Sequence, residues 1–275
     1  MLFRVVSYKV FLGIIFAALL SACANTTRSG AVGINRSQLL LASSSEVDRL
    51  SAISYSEQNQ KAKEQNALIT SGPQFDRLKT ISNRLISQTG VFRDDTRQWN
   101  WQLVLINSPT LNASCAPGGK ITFYTGIIDQ LNLTDDEIAA IMGHEIAHAL
   151  REHGRERLSQ AMAQSAVTNI AMAAAGAYGS AISAANQAAQ YILVLPNSRQ
   201  NESEADAIGI ELAARAGYNP QAAISVWQKM NQATQGKGPP EFLSTHPSGD
   251  TRIEQLTELM PAVMPLYAVA PKPKK

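Results

Sequence analysis

The segment His144-Glu145-Ile146-Ala147-His148 constrains this chain more than any other. On an α-helix, the i, i+4 spacing places both imidazoles on one face, one turn apart, where they can ligate a single ion. Glu145 then lies close enough to act on a water at that ion. The setting is apolar, with Ile138, Ile141, Met142, Ile146, Ala149 and Leu150 around the pair. The helix is therefore expected inside a core, and a buried histidine pair wants a partner such as a metal. From four histidines and 13 glutamates in 275 residues, chance would produce the pattern about 0.003 times. Two surface histidines on an ordinary helix are a poor alternative.

Thr134 and Glu137 have capping-box spacing, and Asp135 and Asp136 suit the positive end of a helix dipole. The spacing predicts a helix from Asp135 through His148. A catalytic zinc site needs three protein ligands and an open position, so one ligand must come from elsewhere. His153 is five residues past His148 and about 180° around the helix from His144, which excludes it from their ion and leaves it a structural role. His246 and downstream carboxylates remain. Glu202 and Asp206, four apart on a further expected helix, face the same way, which suits one as ligand and one as support for a ligating imidazole.

Ser198-Arg199, Glu202 and Ala205-Asp206 follow His144–His148 in the order of a known third-ligand motif. They resemble that of the HtpX/BepA/CAAX-prenyl-protease family of zinc metallopeptidases. Asn112-Ala113-Ser114-Cys115-Ala116-Pro117-Gly118-Gly119 is similar to the family's NAxAxPGG segment, and Thr245-His246-Pro247 with Arg252 to its late HP-x-x-x-x-R element. The resemblance spans roughly residues 100 to 255. It implies that His144, His148 and Glu202 bind one Zn2+ per chain, that Glu145 is the general base, and that Asp206 orients a ligating histidine. In some relatives the histidine matching His246 is an extra metal ligand that holds the enzyme latent; chemically, His246 could equally support the oxyanion. Arg252 could anchor the site or be an ordinary surface arginine. Asn112, Ala113 and the strand at 120–125 are expected to form a rim where substrate backbone lies extended.

The fold class expected is α+β, mainly helical: a zincin-like metallopeptidase domain with a small β-sheet and an active-site helix. Residues 73–89 have helical apolar spacing after Gly72-Pro73. Trp99–Ile106 and Lys120–Thr125 read as strands, the second preceded by the turn signal Pro117-Gly118-Gly119. Helices are expected over 201–216, after Asn219-Pro220, and over 250–260. Arg157 and Arg199 bracket an uncharged stretch, 158–198, dominated by small residues and amides. Its polar amides suit a helical lid or arm better than a lipid-facing span.

Residues 1–22 read as an export signal, with Arg4 and Lys9 flanking a short apolar core that is too short for a full span. Leu20-Ser21-Ala22-Cys23 resembles the bacterial lipobox, which makes Cys23 a lipid anchor and 23–45, rich in small polar residues, a flexible tether. The peptidase domain would cover 46–262, with a disordered tail over 263–275. Loss of residues 1–22 removes two cations and takes the formal charge from +2 to 0, so no nucleic-acid partner is expected. Cys115 would be left without an intramolecular partner, as a small core residue.

The expected protein is thus a lipid-anchored zinc endopeptidase of a bacterial envelope, facing the periplasm from the outer membrane. The resemblance implies quality control of unfolded or misassembled envelope proteins, alongside envelope assembly machinery. The chief rival is a latent, chaperone-like client-binding lipoprotein that retains the metal site. A structural zinc protein ranks below both, because such sites favour four closed ligands rich in cysteine.

Overall fold

The computed structural model describes residues 23–174, 184–233, 241–246 and 251–273. Residues 1–22, where an export signal is expected, the middle of the uncharged stretch at 175–183 and Pro247 lie outside the described residues. In chain order the elements are β1 (Cys23–Ala24), β2 (Gln38–Leu39), α1 (Ser44–Glu64), β3 (Leu68–Ile69), α2 (Pro73–Ile86), β4 (Gln102–Ile106), β5 (Ala113–Ala116) and β6 (Lys120–Tyr124). They continue with α3 (Thr125–Gln130), α4 (Asp135–Leu150), α5 (His153–Ala174), α6 (Ala184–Leu193), α7 (Arg199–Arg215), α8 (Ala222–Ala233), α9 (Glu241–Thr245) and α10 (Thr251–Val269). The architecture is α+β and mainly helical, as expected. No described helix is long and apolar enough to cross a membrane.

The main sheet has the order β3-β4-β6-β5. β4 and β6 run parallel and the other pairs antiparallel. β5 and β6 form a hairpin whose turn needs the left-handed conformations of Gly118 (φ 75°) and Gly119 (φ 80°), which residues with a Cβ rarely adopt. β5 is therefore an edge strand held by a tight turn.

Helix α4 starts with the expected capping box: Thr134 Oγ1 accepts from the Glu137 backbone N–H, and Glu137 Oε2 accepts from that of Thr134 at 2.8 Å. From Glu137 to Leu150 every residue is buried, so this helix is enclosed on all sides rather than amphipathic. It packs against α2, β5, α7 and α8. Its closest neighbour is α7, and the crossing is made by glycine. A Cβ on Gly143 would sit 2.7 Å from the Gly209 carbonyl oxygen, and one on Gly209 would sit 2.7 Å from the His144 nitrogen. Two backbones in direct contact put the side chains of α7 within reach of His144.

Two expectations about the periphery change. Residues 23–43 are not a slack tether. β1 pairs with β2, Gln38 is buried, and the backbone N–H groups of Ala31 and Val32 donate to the buried Glu211 Oε2 at 2.8 and 3.1 Å. Arg28 donates to the carbonyls of Gly90 and Val91 and to Asp94, and Arg36 pairs with Glu156 and Glu204. The polar composition that reads as a linker is used in hydrogen bonds to the body. The domain accordingly begins before residue 46, and 23–43 form a strap across it.

Nor is the tail expected over 263–275 disordered across its described residues, 263–273. Helix α10 runs on to Val269, past Pro261 and Pro265. Both prolines lie on the exposed side, where carbonyls deprived of a donor can bond to water, while Val263 is fully buried. In the uncharged stretch, α5 and α6 pack on one another and α6 on α1. Ile192 and Leu158 join Ala42, Val47 and Leu50 in a small second core.

Candidate active site

Helix α4 presents His144 and His148, and α7 presents Glu202 and Asp206. His246 follows α9, and Arg252 lies at the start of α10. All are buried. One ligand atom from each of His144, His148, Glu202 and His246 can be chosen so that all four lie within 4.8 Å of one another. The Nε2 atoms of His144 and His148 are 3.0 Å apart, His246 Nδ1 is 3.2 Å from His144 Nε2, and Glu202 Oε1 is 3.3 Å from His148 Nε2. These are the residues the motif reading assembled from segments a hundred positions apart.

Asp206 and Arg252 hold this group in place. Asp206 Oδ1 lies 2.9 Å from His144 Nδ1. That contact puts the His144 proton on Nδ1 and leaves the Nε2 lone pair facing the centre. Arg252 is no surface arginine: it is 4% exposed. Its Nε and Nη2 donate to the two oxygens of Asp206 at 2.7 and 2.6 Å, and its Nη1 to Glu202 Oε2 at 2.7 Å. Its guanidinium lies 3.7 Å from the Trp227 ring centroid. Phe242 stacks on His246, with centroids 4.4 Å apart.

Glu145 differs from the other carboxylates. Its Oε1 is buried without a hydrogen-bond partner, 3.4 Å from His246 Nε2. Burial raises its pKa above the ordinary carboxylate value, which makes it a better proton acceptor once ionised. Glu202, by contrast, is held well below the ordinary value: burial pushes it up, but His246 and His148 outweigh that. Two carboxylates in one site are thus pushed apart in basicity, a pattern of separate roles.

The residues present fit a zinc ion. Imidazole lone pairs converge at van der Waals distance beside a carboxylate, and this would be repulsive without a proton or a cation between them. Three nitrogens and one carboxylate oxygen make a borderline donor set that suits zinc. A cleft of about 300 Å³ opens on the group, lined by Glu145, His148, His246, Tyr55 of α1 and the β5 edge. Asn112 and Ala113 line it too, where the motif reading placed the substrate rim. So do Leu193, Val194 and Leu195 at the end of α6, which brings the root of the uncharged arm to the cleft. Cys115 is also there, but burial pushes its thiol well up, so it is no nucleophile at neutral pH.

The sequence profile of peptidase family M48 matches residues 73–260, more than half of the chain and all of the converging residues. This chain belongs to peptidase family M48. Its similarity extends to the mitochondrial metalloendopeptidase OMA1 of Saccharomyces cerevisiae, 36% identical over 174 residues, which are 61% of this chain and 49% of the relative. Human metalloendopeptidase OMA1 is 33% identical over 61% of this chain and 34% of the relative. The beta-barrel assembly-enhancing protease of Escherichia coli O157:H7 is 32% identical over 64% of this chain and 37% of the relative. The chain thus spans about half or less of these relatives' own lengths.

Motif reasoning gave His153 a structural role without naming its partner, and missed Glu204, Trp227 and Phe242. His153 Nδ1 lies 2.8 Å from His148 Nδ1, and Glu204 is 3.3 Å from His153 Nε2. The one available signal was that Glu204 sits between two site residues, Glu202 and Asp206, on the same helix.

Proposed function

We propose that this M48 member is a zinc endopeptidase in which His144, His148 and Glu202 hold one ion and Glu145 is the general base. The observation that carries this is the unpartnered, buried Glu145 oxygen beside a converging His/His/Glu group. A bound zinc ion supplies Lewis acidity, polarising the scissile carbonyl and acidifying water. Glu145 takes a proton from the attacking water and passes it to the leaving amine. Asp206 fixes the His144 tautomer, and Arg252 offsets the two carboxylates beside it. The edge of β5, with Asn112 and Ala113, offers backbone groups to an extended substrate, a sequence-tolerant mode suited to unfolded chains.

The physiological reading is quality control in a bacterial envelope, with unfolded or misassembled envelope proteins as substrates and envelope assembly machinery as a partner. The likeness to the beta-barrel assembly-enhancing protease and the lipobox-like end at Cys23 support it; they also support attachment to the outer membrane through a lipidated Cys23, facing the periplasm. A second reading, a latent client-binding protein, is favoured by one observation: His246 stands among the donor atoms, where it could fill the position a substrate or water needs.

Zinc content and casein cleavage, measured on wild type, Glu145→Gln and His246→Ala, test these readings. The expected result is about one zinc per chain, with cleavage reduced at least 100-fold in Glu145→Gln. Higher activity in His246→Ala assigns latency to His246, and lower activity assigns it oxyanion support. Absence of zinc from all three proteins would sink the assignment. Metabolic labelling with a fatty acid, lost in Cys23→Ser, tests the anchor.

A further inference from the structure

The far side of His148 carries a second array that the known roles leave unexplained. His148 Nε2 faces the converging donors, while its Nδ1 lies 2.8 Å from His153 Nδ1. His153 is fully buried, and its Nε2 lies 3.3 Å from Glu204 Oε2. Arg151 donates to the same carboxylate from Nε at 2.9 Å, and Arg36 of the strap pairs with its other oxygen.

Proton positions along this line follow from its geometry. A metal-ligating Nε2 must offer a lone pair, so His148 carries its proton on Nδ1 and donates it to His153 Nδ1. His153, accepting at Nδ1, carries its own proton on Nε2 and donates it to Glu204. Glu204 can only accept, and Arg36 and Arg151 hold its charge. Each donor meets an acceptor. The orientation of His148 is therefore set by a chain of contacts that ends outside the motif helix, on the segment that follows Cys23.

We propose that His153 is the positioning residue for His148, fixing its tautomer and ring plane, with Glu204 and the strap residue Arg36 completing the support. The His144–Asp206–Arg252 arrangement thus has a counterpart on the other histidine, with imidazole in place of carboxylate as the immediate partner. The inference rests on reading His148 as a metal ligand. It gives residues 23–43 a share in metal affinity, although none of them reaches the centre.

Two measurements on the full chain test it. In the first, zinc dissociation constants are read by competition with a chromophoric chelator for wild type, His153→Phe and His153→Gln. Phenylalanine removes the acceptor, and affinity should fall about 10–100-fold, as outer-shell losses do. Glutamine keeps an acceptor and a donor and should recover most of it, which a merely space-filling role would not require. Wild-type affinity in His153→Phe, within twofold, overturns the inference while leaving the proposed peptidase intact. A wild type that binds no zinc removes both. In the second, long-range 1H–15N NMR on zinc-loaded wild type reads histidine tautomers without any variant. A proton on Nε2 of His153 and on Nδ1 of His148 is expected, and a proton on Nδ1 of His153 overturns the proposal even if the phenylalanine variant fails to fold.

Discussion

Gly143 and Gly209 touch through their backbones, and that contact sets how close Glu202 and Asp206 come to His144. Any Cβ at either position meets backbone atoms at 2.7 Å, and backbone cannot swing aside as a flexible side chain could. Alanine in a helix gains about 1 kcal/mol of propensity over glycine, but overpacking at this crossing should outweigh it. Gly209→Ala is expected to lower unfolding free energy by about 2 kcal/mol net and to weaken zinc binding, read by urea unfolding and chelator competition. A variant more stable than wild type would show that the helices can separate without cost.

Arg252 sits between two buried carboxylates. Removing it in Arg252→Met takes the guanidinium from between Glu202 and Asp206 and leaves the pair bridged by His144, which touches both, a loss on the order of 3–5 kcal/mol in metal-free protein. Zinc should restore part of that by supplying positive charge to Glu202. Urea unfolding with and without zinc checks both points: equal stability of variant and wild type without metal would remove Arg252 from the account.

Acid should loosen the strap side of the site. Burial pushes the Glu204 pKa up, but the hydrogen bonds from His153 and Arg36 and the charge of Arg151 outweigh it and hold the group at about 2, against an ordinary 4.5. A depressed carboxylate stabilises the folded state above its ordinary value, and this contribution fades as pH falls toward about 2. Stability followed from pH 6 downward should therefore decline through that window, and Glu204→Gln, already less stable near neutrality, should decline less. Parallel profiles would mean that Glu204 is not the titrating group.

The motif helix was legible because its signals are local: a capping box, an unbroken apolar run and a four-residue histidine spacing all lie within 17 positions, 134–150. Glu202, Asp206 and His246 were found by matching motif order, since no periodicity links them to His144. The strap was illegible for a physical reason. Its arginines and glycines look solvated until Glu156, Glu204 and Glu211 are brought to them, and these lie more than a hundred residues downstream. The end of the chain misled in the opposite way: Pro261 and Pro265 signal a break, yet their spacing of four keeps both on the exposed face of a helix that continues.

The strap also determines reach. A slack coil of the length of residues 23–43 would let the body roam on the order of 25 Å from its point of attachment. With Cys23 paired to Leu39 and the intervening turn clamped on Glu211, that slack is gone, and the lipid proposed on Cys23 would hold the cleft at a set height above its membrane. Under that proposal searching would fall to the other party: a polypeptide would be met only where its own looseness carries it to that height, and selection would rest on how far a segment strays rather than on which residues it contains.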